Sequence, residues 1–228
     1  MTNENDDVPA THRETAAAWD VVAREKYGAE FDEHVAHLRG GGDNLLPEER
    51  ALVADLLPGA RVIQWQCSHG LDALGLLNAG AGAVVGVDLS AEMVGQARAK
   101  AEAVGTSAAT FLVGDAADPP VELDGTADLV YTGRGSLPWL MALEPWGRGV
   151  ARLLRPGGSV VVYEGHPLAN LWDRESTSLA FRPEVGYFDD DPKEAPGFPR
   201  SVVERVAGSE GPRMPERHWR PGQVVGAL

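Results

Sequence analysis

The stretch Arg61–Leu74, RVIQWQCSHGLDAL, decides the fold: a short apolar run with β-branched residues, a polar turn, and then leucines at helical spacing. A strand followed directly by a helix is the repeating unit of parallel α/β sheets. The unit returns as a strand at 83–90 and a helix at Ala91–Val104, with Ser90 as the expected N-cap. Further buried strands are expected at 109–116, 127–133 and 159–165, and a helix at Leu143–Leu154. The pattern predicts a doubly wound, mainly parallel α/β sheet with right-handed crossovers.

The rest of the chain is organised around that sheet. Its first residues are polar and acidic, which predicts a disordered tail, and helical patterns with a break near Gly28 follow. A long stretch rich in Pro, Gly and Asp comes after the fifth strand and is typical of a lid. The predicted segments are a disordered tail at 1–14, an N-terminal helical cap at 15–57, the core at 58–167, an insertion forming a substrate lid at 168–215, and the start of a further core helix at 216–228. A helix with no following strand predicts that the C-terminal strands are absent from this chain.

The composition argues against several classes of function. Of the 228 residues, 43% are hydrophobic and 24% are charged, as in one globular domain. No apolar run reaches the roughly 18 residues that span a membrane, and the N-terminus lacks a signal-peptide pattern. The net charge of −14 repels nucleic-acid phosphates, and the single cysteine, Cys67, precludes an intrachain disulfide. We therefore expect a cytoplasmic protein that binds neither nucleic acid nor membrane.

Polar turns follow the carboxyl ends of the predicted strands, where ligands bind in open parallel sheets. Asp88 lies about 20 residues after the first turn, the spacing at which an acid binds ribose hydroxyls. Asp115 follows the third strand and is placed to accept a hydrogen bond from an exocyclic amine, so an adenosine-shaped ligand is expected. The first turn, QCSHG at 66–70, has one glycine, whereas the pyrophosphate of a dinucleotide requires several. A nicotinamide oxidoreductase is therefore disfavoured, and S-adenosylmethionine, which has no phosphate, suits the turn.

Five motifs in this order resemble those of class I S-adenosylmethionine-dependent methyltransferases, in the branch that acts on small molecules. The resemblance spans roughly residues 45–167, and the motifs read VIQWQCSHG, VVGVDLSAEMVGQARAKA, FLVGDAADPP, ADLVYTGRGSLPWL and VARLLRPGGSVVVYEGHP. The resemblance implies a Rossmann-like methyltransferase fold, S-adenosyl-L-methionine as cofactor and S-adenosyl-L-homocysteine as product. The first motif departs from the family, because Gln64 stands at its acid and Gln66 and Ser68 stand at its first two glycines. A related subgroup carries a Q-C-x-x-G loop.

The resemblance also implies which residues form the site. The predicted cofactor-binding residues are Gln66, Cys67, Ser68, Gly70, Asp88, Leu89, Met93, Gly114, Asp115, Ala116, Thr132 and Gly133. The predicted substrate-binding residues are Trp19, Arg134, Trp139 and Trp172, since six tryptophans suggest an apolar or aromatic pocket. Structural alternatives remain open for some of them: Asp115 is also compatible with an Asx turn, and Cys67 with a small buried core residue.

His166 and Glu164 are the predicted catalytic pair, placed after the fifth strand to deprotonate an acceptor. Tyr27 on the cap is a further catalytic candidate. A structural turn before Pro167 is the alternative for His166, and a helix-capping or solvent-facing position is open for His69. No metal site is expected, because His34 and His37 have only ordinary charged neighbours.

The sequence therefore predicts methyl transfer to a small-molecule acceptor, such as an aromatic compound or a natural-product intermediate. The alternative function is a methyltransferase-like protein that binds S-adenosylmethionine but catalyses a non-methylating reaction such as cyclisation. A homodimer is a further candidate arrangement, in which a partner subunit covers the tail and the lid.

Overall fold

The computed structural model describes residues 8–172, 180–183, 185–195 and 214–228. Its core strands are β1 (Arg61–Trp65), β2 (Ala83–Asp88), β3 (Ala109–Val113), β4 (Ala127–Gly133) and β5 (Leu154–Tyr163). They pair in parallel in the order β3-β2-β1-β4-β5, so the chain reverses its direction of winding between β3 and β4. The predicted doubly wound parallel sheet is confirmed, and the switch point lies beside the carboxyl end of β1.

Alternate residues of β1 face two separate cores, which is why this strand is buried throughout its length after Arg61. Val62 packs with the side that carries α3 (Pro47–Val53), α4 (Leu71–Asn78) and α5 (Ala91–Val104). Ile63 and Trp65 pack on the other side with α6 (Leu143–Leu153) and α7 (Pro221–Ala227). Helices on both faces leave the carboxyl edge of the sheet as the place for polar loops. None of the helices that the structure describes is both long and apolar enough to cross a membrane.

The cap begins earlier than the sequence predicted, because α1 spans Val8–Val22 and so includes residues assigned to the disordered tail. Residues 1–7 of that tail lie outside the described residues. Within α1, His12 and Thr15 are buried beside Ala18 and Val22. The buried face of α1 thus starts with polar residues, and a search for apolar periodicity misses such a face. The predicted break near Gly28 is present, between a π-helical turn (Ala23–Tyr27) and α2 (Phe31–Arg39).

The insertion after β5 is partly described, since residues 173–179, 184 and 196–213 of the predicted lid lie outside the described residues. Its described parts include an antiparallel pair, β6 (Lys193–Ala195) with β7 (Met214–Glu216). Met214 is buried in a small cluster with Ala18, Val22 and Met93, and Trp139 packs against this cluster. The end of the insertion therefore packs on α1 and forms one layer with the cap.

Two helical glycines provide a matched test of this packing. Gly75 lies where α4 touches the loop before α3, and a Cβ at this position would overlap the backbone carbonyl of Asp43. We expect Gly75→Ala to lower the free energy of unfolding by about 2 kcal/mol, because the overlap forces α4 away from the loop. Gly95, exposed on α5, has open space around it, so Gly95→Ala should raise stability by about 0.5–1 kcal/mol. Urea denaturation of both variants checks this, and equal destabilisation would contradict the packing.

Candidate active site

A cavity of about 340 Å³ lies between the carboxyl edge of the sheet and the cap. Its floor is made by the turns after β1, β2, β3 and β4, and its roof includes His12, Thr15, Trp19 and Tyr27 from the N-terminal helices. The cap thus closes over the edge of the sheet where the sequence placed the ligand. Most of the predicted cofactor-binding residues line the cavity: Gln66, Cys67, Ser68, Asp88, Leu89, Met93, Gly114, Asp115, Ala116 and Gly133.

The turn after β1 keeps a glycine-like backbone with only one glycine. Gln66 and Ser68, the residues at the family's first two glycine positions, have φ values of 63° and 50°. This left-handed region costs an L-residue roughly 1–2 kcal/mol. Gly70 has φ 78° and packs so closely on Ala97 that a Cβ would not fit. The loop conformation is therefore retained although the residue types have changed, and strain of this kind concentrates at functional sites.

Relieving the strain at one of these positions should stabilise the protein. We expect Ser68→Gly to raise the free energy of unfolding by about 0.5–1 kcal/mol, since glycine adopts this backbone without steric cost. Ser107, exposed in a turn of ordinary backbone conformation, is the control, and Ser107→Gly should lower stability slightly. Thermal unfolding of both variants checks the prediction. A loss of stability in Ser68→Gly equal to that of the control would mean that the loop is not strained.

Asp88 organises the loop as well as lining the cavity. One of its carboxylate oxygens accepts from the backbone amide of Ser68 at 2.7 Å, and the other accepts from the amide of Ser90 at 3.0 Å. Burial raises the pKa of Asp88 against the lowering effect of these hydrogen bonds. A carboxylate has about four acceptor positions, so Asp88 keeps some acceptor capacity for a ligand such as a ribose hydroxyl.

Asp115 is bound by a residue that the sequence analysis assigned to the tail. One carboxylate oxygen lies 2.7 Å from Nδ1 of His12, and the other accepts from the amide of Ala117 at 2.8 Å. Burial alone would raise the pKa of Asp115, but the hydrogen bonds from His12 and Ala117 outweigh it and lower the pKa. Asp115 is therefore ionised at neutral pH, and it joins α1 to the turn after β3.

Two glutamine side chains supply unpaired acceptors in the cavity wall. The Oε1 atoms of Gln64 and Gln66 are buried and have no hydrogen-bond partner, while Nε2 of Gln66 donates to the backbone oxygen of Ser136 at 2.9 Å. Leaving two buried carbonyl oxygens unpaired is unfavourable, so their presence indicates a ligand that donates hydrogen bonds. An ammonium group meets that requirement. The amides thus fit the role of the family acid that is absent at position 64.

Aromatic and imidazole rings form a stack at the side of the cavity. The ring centroids of Tyr27 and His69 are 3.8 Å apart, and those of His69 and His34 are 4.9 Å apart. Burial, reinforced by Glu30, raises the pKa of Tyr27 to about 12, so its phenol stays protonated. Burial and the nearby Lys100 lower the pKa of His69 well below its usual value. At neutral pH the stack therefore presents a hydroxyl donor and a neutral imidazole.

Cys67 is a buried thiol in the same wall. Burial raises its pKa well above the usual value, and nearby Asp88 adds to the shift. A protonated thiol is a poor nucleophile. The expectation that Cys67 is a small packing residue agrees with this environment.

Arg134, a predicted substrate-binding residue, is occupied by acids of the cap and of α4. Its guanidinium pairs with Asp72, lies 3.4 Å from Glu49 and donates to the backbone oxygen of Asn44 at 3.0 Å. Glu49 is fully buried and also accepts from the hydroxyl of Tyr131. These contacts make Arg134 a link between cap and core, and they disfavour its direct use against an acidic acceptor.

The predicted catalytic pair lies beside a second cavity of about 460 Å³ that shares Arg134 and Gly135 with the first. The carboxylate of Glu164 accepts from the amides of Gly135, Ser136 and Leu137 at 2.5–3.1 Å, and so it holds the turn after β4. Nδ1 of His166 accepts from the amide of Leu168 at 3.2 Å. With that lone pair engaged, the proton of the neutral ring resides on Nε2. The geometry thus favours positioning roles for both residues over their predicted role as a base.

Three other predicted residues lie outside the cavity lining, for identifiable reasons. Gly70 turns away to pack on α5, and Thr132 donates from its buried hydroxyl to the backbone oxygen of Trp65 at 3.0 Å. Trp172 pairs with Phe181 in the insertion, with ring centroids 4.1 Å apart.

Trp19 and Trp139 do line the cavity and meet edge to face, with ring centroids 5.4 Å apart. The lining residues that the sequence analysis did not assign to the site include His12, Thr15, Asn44, Asp72, Gly135 and Ser136.

Comparisons with known proteins identify the core. Residues 62–158 match the family model described as a methyltransferase domain. These residues are therefore similar to a methyltransferase domain over somewhat less than half of the chain. The fold of this methyltransferase domain and its surroundings is similar to that of an S-adenosylmethionine-dependent methyltransferase from Mesorhizobium loti, with 23% identity, a TM-score of 0.59, and coverage of 82% of this chain and 81% of that chain. It is also similar to a candidate S-adenosylmethionine-dependent methyltransferase from Listeria monocytogenes, with 19% identity, a TM-score of 0.58, and coverage of 78% and 80% respectively.

The residues of the cavity fit S-adenosylmethionine, the cofactor that the sequence predicts. Asp88 has free acceptor positions for the ribose, and the orphaned amide oxygens of Gln64 and Gln66 suit its ammonium. When bound, the cofactor supplies a methyl group on a sulfonium for in-line displacement. The part of the protein is to hold the donor in the cleft, exclude water with the cap and align an acceptor.

Proposed function

We propose that this methyltransferase transfers the methyl group to a small-molecule acceptor in the cytoplasm, with aromatic compounds and natural-product intermediates as the first candidates. The observation that carries the proposal is the roof over the cavity. α1 crosses the carboxyl edge of the sheet and is tied to it by the contact of His12 with Asp115 and by Asp20, whose carboxylate accepts from the hydroxyl of Ser90 at 2.5 Å. A covered cleft admits a small acceptor more readily than a folded macromolecule.

The lining of the roof supports an apolar or aromatic acceptor. Trp19 from α1 and Trp139 from the turn after β4 form an edge-to-face pair on the cavity wall, and Tyr27 lies nearby on the same cap. Flat aromatic walls bury an aromatic ring well and orient it through their edges. The phenol of Tyr27, protonated because of its raised pKa, serves there as a hydrogen-bond donor that orients the acceptor.

For acceptors that lose a proton, His69 is better placed than His166. His69 lines the cofactor cavity, and its Nδ1 has no hydrogen-bond partner. Its lowered pKa keeps the imidazole neutral at pH 7, so a lone pair is available, and because the same shift makes the ring a weaker base, it suits a proton that becomes acidic as the methyl group is transferred. Glu164 and His166 would then shape the neighbouring cavity through the turn at 135–137.

Replacing this imidazole tests its role. We expect His69→Gln to lower kcat by about 100-fold with hydroxyl acceptors, the usual contribution of a general base, and to change the affinity for S-adenosylhomocysteine much less. His166→Gln is the comparison and should retain most of the activity. Steady-state kinetics combined with calorimetry separates the two effects. Equal losses of kcat in both variants would contradict the assignment of the proton acceptor.

The direct test of methyl transfer is turnover. The purified protein is incubated with S-adenosylmethionine and a panel of small aromatic and polyketide-like compounds, and S-adenosylhomocysteine and methylated product are measured. We expect equal amounts of S-adenosylhomocysteine and methylated product with at least one acceptor.

The alternative function, a cyclisation that uses only the charge of the sulfonium, is favoured by the hydrogen bonds that engage Glu164 and His166. Product formation with no S-adenosylhomocysteine released would select it.

A further inference from the structure

The first turns of α1 place two unsatisfied polar side chains inside the cofactor cavity. His12 and Thr15 are 3% and 0% exposed, and both line the cavity. Nε2 of His12 and Oγ1 of Thr15 have no hydrogen-bond partner. A spacing of three residues puts the two side chains on the same face of the helix. Buried polar atoms that lack partners are costly, and two of them side by side in a cavity indicate a ligand with complementary groups.

The contact with Asp115 determines which hydrogen-bonding role Nε2 of His12 has. Nδ1 lies 2.7 Å from a carboxylate oxygen of Asp115, and a carboxylate only accepts hydrogen bonds. The proton of a neutral imidazole is therefore on Nδ1, and Nε2 is left as an acceptor. Thr15 adds a hydroxyl that can donate. The pair presents one acceptor and one donor next to the turn after β3.

We propose that His12 and Thr15 recognise the adenine edge of the cofactor: Nε2 of His12 accepts from the exocyclic amine, and the hydroxyl of Thr15 donates to ring nitrogen N1. Asp115 acts through His12 as a positioning residue, instead of contacting the amine alone as the sequence predicted. The proposal rests on the cofactor being S-adenosylmethionine. It gives the N-terminal helix a part in cofactor specificity as well as in covering the site.

The proposal predicts discrimination between adenine and hypoxanthine. Hypoxanthine carries a carbonyl oxygen in place of the amine, so it removes the donor for Nε2 of His12, whereas the hydroxyl of Thr15 can rotate and accept from the N–H at position 1. The His12 contact is therefore the one that rejects the inosyl analogue, because the carbonyl oxygen would face the acceptor Nε2. If the only role of His12 is to hold α1 against Asp115, replacing His12 lowers the affinity for every ligand of the cavity by the same factor.

Calorimetric titration with S-adenosylhomocysteine and S-inosylhomocysteine tests the proposal without any requirement for turnover. The variants are His12→Ala and Thr15→Val, the second nearly isosteric so that it preserves the packing of the helix, and circular dichroism checks the fold of each. Arg13→Ala, exposed on the same helix, is the matched control. We expect the wild type to prefer the adenosyl ligand by about 100-fold, His12→Ala to reduce that preference by about tenfold, and Thr15→Val to weaken both ligands by about tenfold. The control should keep the wild-type preference.

The outcomes that overturn the proposal are distinct from failure of the methyltransferase assignment. Wild-type preference retained in His12→Ala would show that other groups recognise the amine, and an unchanged affinity of Thr15→Val for both ligands would show that its hydroxyl does not contact the base. An equal loss of affinity for both ligands in His12→Ala would show that α1 only covers the site. Absence of S-adenosylhomocysteine binding to the folded wild type would overturn the cofactor assignment itself, together with this inference.

Discussion

Asp88→Ala is expected to weaken S-adenosylhomocysteine binding by about 100-fold or more, because this carboxylate both shapes the loop and faces the ligand. The substitution leaves the buried amides of Ser68 and Ser90 without acceptors and removes the remaining acceptor positions for the ribose. Hydrogen bonds to charged groups contribute about 1.5–3 kcal/mol each. Losing the hydrogen bonds to the ribose together with the support of the loop therefore costs at least about 3 kcal/mol of binding free energy.

Two controls separate the contact from the fold. Asp88→Asn keeps the size and one acceptor oxygen, and we expect it to lose about tenfold in affinity. Asp118, whose side chain is 90% exposed and outside the cavity lining, provides a substitution of the same type, and Asp118→Ala should bind as the wild type does. Calorimetry gives the affinities. An Asp88→Ala variant that binds within threefold of the wild type would remove Asp88 from the site.

Gln64→Leu is expected to weaken S-adenosylhomocysteine binding by about 30-fold while leaving 5′-methylthioadenosine binding unchanged. The orphaned Oε1 of Gln64 is assigned to the ammonium of the amino-acid group, which 5′-methylthioadenosine lacks. A hydrogen bond between a neutral amide and an ammonium is worth about 2 kcal/mol when the amide would otherwise stay unpaired. The difference between the two ligands therefore isolates the contact from general damage to the cavity.

Gln96→Leu is the matched control for this variant. Gln96 also has a buried Oε1 without a partner, but it lies on α5 outside the cavity lining. We expect its replacement to leave the affinity for both ligands unchanged. Equal weakening of both ligands by Gln64→Leu would mean that Gln64 supports the fold of β1, and an unchanged affinity for both would assign the ammonium to another group.

The sheet was predictable because its signals are local. The runs of β-branched residues in β1, β2 and β4 are short, buried on both faces and bounded by turns, and Ala91–Val104 has the predicted bounds with Ser90 as its N-cap. The turns at the carboxyl edge follow from the topology, so the sequence alone predicts that residues such as Asp88 and Met93 lie near this edge. Their roles in binding the cofactor remain predictions.

The contribution of α1 could not be predicted from the same signals. Its buried face begins with His12 and Thr15, and a polar residue has no signature of burial in a sequence when its partner, Asp115, is 103 positions away. The hydrogen-bond partners of Glu164 could not be predicted for a related reason. An acid two positions before a histidine resembles a catalytic pair, whereas its partners are three backbone amides of a turn that only the fold brings near.

Calorimetric titration of the wild-type protein with S-adenosylmethionine, and separately with S-adenosylhomocysteine, tests most directly whether the cavity under the cap is an adenosyl site. The structure predicts that both ligands bind with one site per chain and micromolar affinity, through the strained loop at 66–70. An absence of heat with either ligand, in protein whose circular dichroism spectrum shows an intact fold, would contradict the assignment and would mean that the altered loop no longer holds the cofactor.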